Sequence, residues 1–81
     1  MSDSATMQVI EAFSAVLLRS DPSVTDETQL EWLGMDSLDQ TELLVQIEDR
    51  LGVEVTPQEY SNLTTVADLI NLVRKKLPNA N

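Results

Sequence analysis

Apolar residues recur along most of this chain at intervals of three and four, the spacing of amphipathic helices, and the polar stretches between them mark off four candidate helices. In the first, from about Asp3 or Ser4 to Arg19, the residues Met7, Ile10, Phe13, Leu17 and Leu18 fall at helical spacing and are expected to face a core. Ser20-Asp21-Pro22-Ser23 ends it. A long connection follows, with Val24, Leu30, Trp32 and Leu33 as its expected anchors, and a loop of that length in a small domain usually has a function. It closes at Gly34, a residue that permits the backbone conformations a sharp turn into a helix can require.

The second helix is predicted from Ser37 or Leu38 to Leu51, where Gly52 suits a left-handed C-terminal cap. At about 100° per residue, Gln40, Leu43, Leu44, Ile47 and Leu51 gather on one side and should pack inward. Leu38, Glu42, Val45 and Asp49 gather on the opposite side. A short third helix opens at Thr56-Pro57-Gln58-Glu59, a capping box with proline at the first helical position, and ends near Asn62. Thr65-Val66-Ala67-Asp68 opens the fourth, whose Val66, Leu69, Ile70, Val73 and Leu77 form an apolar stripe. Arg74, Lys75 and Lys76 oppose its C-terminal dipole before Pro78 stops it.

Val53 and Val55 alternate with polar neighbours, but a single strand has no sheet partner in this chain, so a loop is expected there. The predicted fold is therefore all-α: a small four-helix bundle of three main helices and one short one, with a long loop between the first two. It should form a single domain over residues 1–81, with termini flexible before about residue 6 and after about residue 77.

Composition narrows what such a bundle can do. A chain of 81 residues buries only about 60 to 65% of its unfolded surface, which leaves no room for a deep enclosed active site. Cysteine is absent, which rules out disulfides and thiolate metal sites, and with no histidine either, a serine nucleophile lacks its usual base. Autonomous catalysis is not expected. Asp36-Ser37-Leu38-Asp39 also lacks the alternating ligands, central glycine and final glutamate of a calcium loop, so no metal site is expected. The N-terminal residues lack a basic region followed by an apolar core, and no apolar run approaches membrane-spanning length, which points to a cytoplasmic protein.

Fourteen acids against five bases give a net charge of −9, which disfavours nucleic acid and anionic membranes and favours basic protein surfaces as partners. Ten of the acids lie between Asp26 and Glu59, where Arg50 is the single base. Such a run is often only a solvated face. Here, however, Leu38 and Val45 are displayed among Glu42 and Asp49, so that acids would attract a basic partner and apolar side chains would fix it.

Gly34-Met35-Asp36-Ser37-Leu38 places a serine at the junction of loop and helix, where it has two plausible roles. Ser37-Leu38-Asp39-Gln40 reads as a capping box, in which Ser37 is only a helix cap. Asp36 is an equally good cap and would leave the Ser37 hydroxyl in the first turn, within reach of a partner. A phosphodiester on that oxygen would lie near the positive end of the helix dipole.

Leu33-Gly34-Met35-Asp36-Ser37-Leu38-Asp39, Glu42-Leu43, Ile47-Glu48 and Thr64-Thr65-Val66 stand in the order and spacing of the acyl carrier protein family, and this resemblance covers nearly the whole chain. It implies a non-catalytic carrier whose Ser37 receives a 4′-phosphopantetheine arm from coenzyme A through a separate phosphopantetheinyl transferase. Acyl groups would then ride on the arm's thiol as thioesters and be presented to acyl-transferring and chain-elongating enzymes of fatty-acid or polyketide biosynthesis. The resemblance further implies that Asp36, Asp39, Glu42, Glu48 and Asp49 meet basic patches on those enzymes, that Leu38 and Val45 add apolar contacts, and that a monomer suffices. Leu43 and Ile47, core residues first, are implied candidates for lining a space between the helices that shelters the acyl chain.

Met35 stands where fatty-acid carriers commonly have alanine, Thr41 where they have an aliphatic residue, and Arg50 where a third acid is common, and the loop before Gly34 is slightly shortened. Met35 and the Leu30-Glu31-Trp32-Leu33 approach are closer to polyketide carriers. A peptidyl or aryl carrier of a nonribosomal pathway fits less well, since glycine and histidine usually precede the serine there. An unmodified acidic adaptor, binding basic partners through its second helix, is the alternative from another class.

Overall fold

The computed structural model describes residues 4–17 and 24–77. Among them the chain forms helices α1 (Ser4–Leu17), α2 (Ser37–Leu51), α3 (Pro57–Ser61) and α4 (Val66–Lys76), preceded at α2 by a 3-10 turn over Leu30–Leu33. The expected stops at Ser20-Asp21-Pro22-Ser23 and Pro78, and the core role of Leu18, lie outside the described residues. The all-α architecture is as predicted, with three longer helices and one of five residues. Val53 and Val55 belong to a loop and are both buried.

Start signals written in the sequence act at three of the helices. Asp36, Thr56 and Thr65 each accept a hydrogen bond from the backbone N–H three residues on, and the carboxylates of Asp39, Glu59 and Asp68 each accept one in return from the cap residue's own N–H. Gly52 closes α2 in the left-handed conformation at φ 71° and donates to Glu48 O at 2.8 Å. The core gathers Val9, Ala12 and Phe13 of α1, Leu43 and Ile47 of α2, Val53, Val55 and Tyr60, and Val66, Leu69, Ile70 and Val73 of α4.

Two residues expected inward, one in the first helix and one anchoring the loop, face outward. Met7 is 51% exposed, because the buried side of α1 is built on Ala5, Val9, Ala12 and Phe13, with Val16 packed alongside. Those residues form a helical stripe centred on Val9, and Met7 falls about 160° from that centre at the α-helical turn angle. Of the other residues expected inward, Phe13 is buried, Ile10 packs against the core and Leu17 is half-buried. Trp32 is 79% exposed. Three residues per turn bring Leu30 and Leu33 onto one side of the 3-10 segment, where both meet the core, and carry Trp32 away from it.

Backbone hydrogen bonds tie the approach loop to the start of α4. Leu30 N donates to Thr64 O at 2.8 Å, Val66 N to Thr28 O at 2.9 Å and Ala67 N to Asp26 O at 2.7 Å, around an isolated antiparallel bridge between Gln29 and Thr65. This lacing fixes where the chain enters α2. Arg50, at the far end of α2, reaches across to α1, donating to Gln8 Oε1 and Glu11 Oε1, both at 3.1 Å.

Candidate functional site

Gly34 makes the turn toward α2 at φ 66° and ψ 24°, the left-handed region where a side chain would be strained. Asp36, in extended conformation, then becomes the cap of α2: its Oδ1 accepts from Asp39 N at 2.9 Å, and Asp39 Oδ2 accepts from Asp36 N at 3.4 Å. The capping box therefore belongs to Asp36 and Asp39, and Ser37 occupies the first helical position. Ser37 is exposed, and no described residue hydrogen-bonds its hydroxyl. Its carbonyl accepts from Thr41 Oγ1 at 3.0 Å, which engages Thr41 within the helix.

A free hydroxyl here is a nucleophile without a base, because the sequence contains no histidine and the two neighbouring carboxylates are occupied by backbone N–H groups. The position is nonetheless prepared for an anion: it lies in the first turn of a 15-residue helix, where unpaired N–H groups and the dipole favour negative charge.

From Ser37 the outer face of α2 continues as expected. Leu38 is 78% exposed and Val45 45%, with Glu42, Glu48 and Asp49 exposed around them and Asp39 half-buried. Leu38, Glu42, Val45 and Asp49 lie one above another at intervals of four, three and four residues. Trp32, exposed just before the motif, is a large apolar side chain on the same approach, where an anchor of the long loop is expected instead. Recognising the 3-10 spacing of Leu30 and Leu33 would have revealed it. Arg50, the base that interrupts the acids, is engaged with α1. Among the described residues no group of three or more potential metal ligands converges.

An open cleft of about 310 Å³ lies beside the motif, lined by Leu30, Met35, Gln40, Tyr60 and Leu63, with Glu31 and Ser61 also on its wall. Gln40 is one helical turn from Ser37, and its Nε2 donates to Met35 O at 3.5 Å. Leu43 and Ile47, the residues implied for sheltering a chain, are instead sealed at 0% exposure within the core. The space near the motif comes from the loop and α3, whose placement the periodicity of α2 does not encode.

Around α3, the Glu59 carboxyl is held below its ordinary value by its hydrogen bond from the Thr56 backbone and by Lys76, whose Nζ lies 3.0 Å away. The Asp68 carboxyl is lowered by backbone N–H groups of Thr64 and Thr65. Both carboxylates therefore serve helix starts. No described helix is long and apolar enough to cross a membrane.

Comparison with known proteins identifies the family. A family model described as "Phosphopantetheine attachment site" matches residues 8–73. An acyl carrier protein of Thermosynechococcus vestitus is 33% identical over 79 residues, covering 95% of this chain and 98% of that protein. A mitochondrial acyl carrier protein of Dictyostelium discoideum is 36% identical over 70 residues, 86% of this chain but 58% of its own length. Acyl carrier protein 2 of Spinacia oleracea, a chloroplastic protein, is 32% identical over 60 residues, 74% of this chain and 46% of its own length. This chain thus spans nearly the whole of the first and about half of the other two. With a phosphopantetheine-attachment model over most of its length and a full-length relative of the same kind, the chain belongs to the acyl carrier protein family.

Proposed function

We propose that this chain carries acyl intermediates as thioesters on a 4′-phosphopantetheine arm attached to Ser37, presenting them to enzymes of fatty-acid or polyketide biosynthesis and catalysing nothing itself. The observation that carries the reading is the Ser37 hydroxyl, exposed in the first turn of α2 while Asp36 takes the capping bond. A serine needed as the cap would lose its role when esterified. This one is free to be esterified without disturbing the helix start.

In the attachment step Ser37 Oγ forms a bond to the phosphorus of coenzyme A that bears pantetheine, the phosphoanhydride bond breaks, and the nucleotide leaves with the electron pair. The serine proton passes to a base of the transferase, since this chain has no suitable base of its own. The new phosphodiester is stabilised by the N-terminal end of α2. Held there, the arm would supply a terminal thiol on which acyl groups ride as thioesters.

Docking in this proposal runs along α2. Asp36, Asp39, Glu42, Glu48 and Asp49 supply negative potential for basic patches, and Leu38 and Val45 supply apolar contact. Partners are the transferase and the acyl-transferring and elongating enzymes, the chain acts as a monomer, and a cytoplasmic setting is part of the reading.

The decisive experiment charges the purified protein with its arm, adds an acyltransferase and acyl donor, and measures the acyl mass released by hydroxylamine. Wild type should release acyl groups in proportion to its loaded arm, and Ser37→Ala should release none. Full biological activity in the Ser37→Ala protein would instead support an unmodified acidic adaptor.

A further inference from the structure

Trp32, the chain's single tryptophan, is 79% exposed, more than any other large apolar side chain among the described residues. A tryptophan that packs takes about 150 to 250 Å² into a core or an interface. This one adds little of that kind to the fold, and its indole N–H bonds to no described residue. The backbone beneath it is nevertheless fixed. Leu30 N donates to Thr64 O at 2.8 Å and Trp32 N to Gln29 O at 3.0 Å, while Leu30 and Leu33 on either side meet the core. The ring is therefore held out from a rigid base, so that little ordering entropy is lost when it enters an interface.

Charge indicates what such a ring can receive. Between residues 24 and 36 the chain has four acids, Asp26, Glu27, Glu31 and Asp36, and no base. All four are exposed. Asp36 is committed to the cap of α2, whereas the Glu31 carboxylate, next to the indole in the chain, bonds to no described residue. An indole face attracts cations through its quadrupole, and neighbouring carboxylates strengthen the same potential. A guanidinium meets both at once: it stacks flat on the ring while its N–H fork pairs with a carboxylate. The compact, strongly hydrated ammonium of lysine does this less well.

We propose that Trp32 and Glu31 form a docking point, separate from the outer face of α2, that seats an arginine on the surface of a partner protein. The guanidinium lies on the indole and donates to the Glu31 carboxylate. Tryptophan and arginine are both residue types in which binding energy concentrates at protein interfaces. Trp32 precedes the attachment serine in the chain and the outer face of α2 follows it, so a partner held at both grips the chain on either side of Ser37. The kind of partner rests on the carrier reading; the capture of arginine does not.

The test titrates the intact protein with tetra-arginine amide and, separately, with tetralysine amide, two peptides of equal charge, and follows the indole N–H and the backbone amides by NMR. Tetra-arginine should move the indole N–H and the amides of Glu31 and Leu33, binding there about fivefold more tightly than tetralysine. In Trp32→Ala this preference should vanish at Glu31 and Leu33, while the amides of Glu42 and Asp49 on α2 should respond as in wild type. Glu31→Gln should also weaken the binding of tetra-arginine at the indole. Because the ring is exposed, Trp32→Ala should melt as wild type does, which separates lost binding from lost folding.

Equal affinities for the two peptides at the Trp32 signals, or shifts confined to α2, would overturn the proposal. So would an undiminished preference for arginine in Trp32→Ala. Arginine capture by a protein that takes no arm on Ser37 would support the docking point and overturn the carrier reading alone.

Discussion

Asp36 and Ser37 both carry side chains suited to capping a helix, and in the structure Asp36 accepts from Asp39 N while the Ser37 hydroxyl bonds to no described residue. This division has measurable consequences. Asp36→Ala should lower the free energy of unfolding by about 1 kcal/mol, the usual loss on removing such a cap. Ser37→Ala should change it by less than about 0.5 kcal/mol, as for an exposed position outside any cap. Urea denaturation of the two variants checks the pair, and the opposite order would return the capping role to Ser37. At this scale the sequence left the two residues equivalent, because either could cap. What separated them is the extended conformation of Asp36, reached through the left-handed turn at Gly34. Tyr60 was illegible for a different reason: its burial depends on how α3 packs, and no periodic pattern of five residues reports that.

Helix α2 is core on one face and exposed on the other. Leu43→Ala removes a fully buried side chain and should cost about 2 to 5 kcal/mol. Leu38→Ala, at an exposed position, should leave stability near wild type and instead weaken binding to basic partner enzymes. Glu42→Lys should slow association with the transferase, and the deficit should shrink as salt rises, since charges at the edge of an interface act mainly through electrostatic steering. Turnover measured across a salt series checks this, and a deficit indifferent to salt would count against electrostatic docking. Helix starts were legible here because caps are local: Thr56 with Glu59 and Thr65 with Asp68 signal within four residues. The rotation of α1 was not legible, because Ala5 and Ala12 carry little hydrophobic weight beside the larger Met7, yet their small side chains sit where α1 meets the core.

For the molecule as a whole, a net charge of −9 on 81 residues favours expansion, so moderate salt should raise the melting temperature. A fall in melting temperature would contradict this. Acid acts on particular carboxyls as well. Glu59 and Asp68 titrate lower in the folded chain than their ordinary 4.5 and 3.8, so their stabilisation is present above those values and is lost as pH falls through the lowered ones. Glu59→Gln should therefore be less stable than wild type near neutral pH, and the gap should close in acid; a gap independent of pH would contradict the assignment. Taking the difference between the two proteins cancels the general relief of self-repulsion in acid. The bundle, the acidic face and the Ser37 motif were readable from local spacing, whereas the exposed Trp32 and the cleft at Tyr60 arise only when loop and helices pack together. The central claim is that Ser37 is the site another enzyme modifies. Intact mass after incubation with coenzyme A, magnesium and a broad phosphopantetheinyl transferase tests it most directly. Wild type should gain one phosphopantetheinyl group only when transferase is present, and Ser37→Ala should gain none; no gain on wild type, or the same gain on Ser37→Ala, would contradict it.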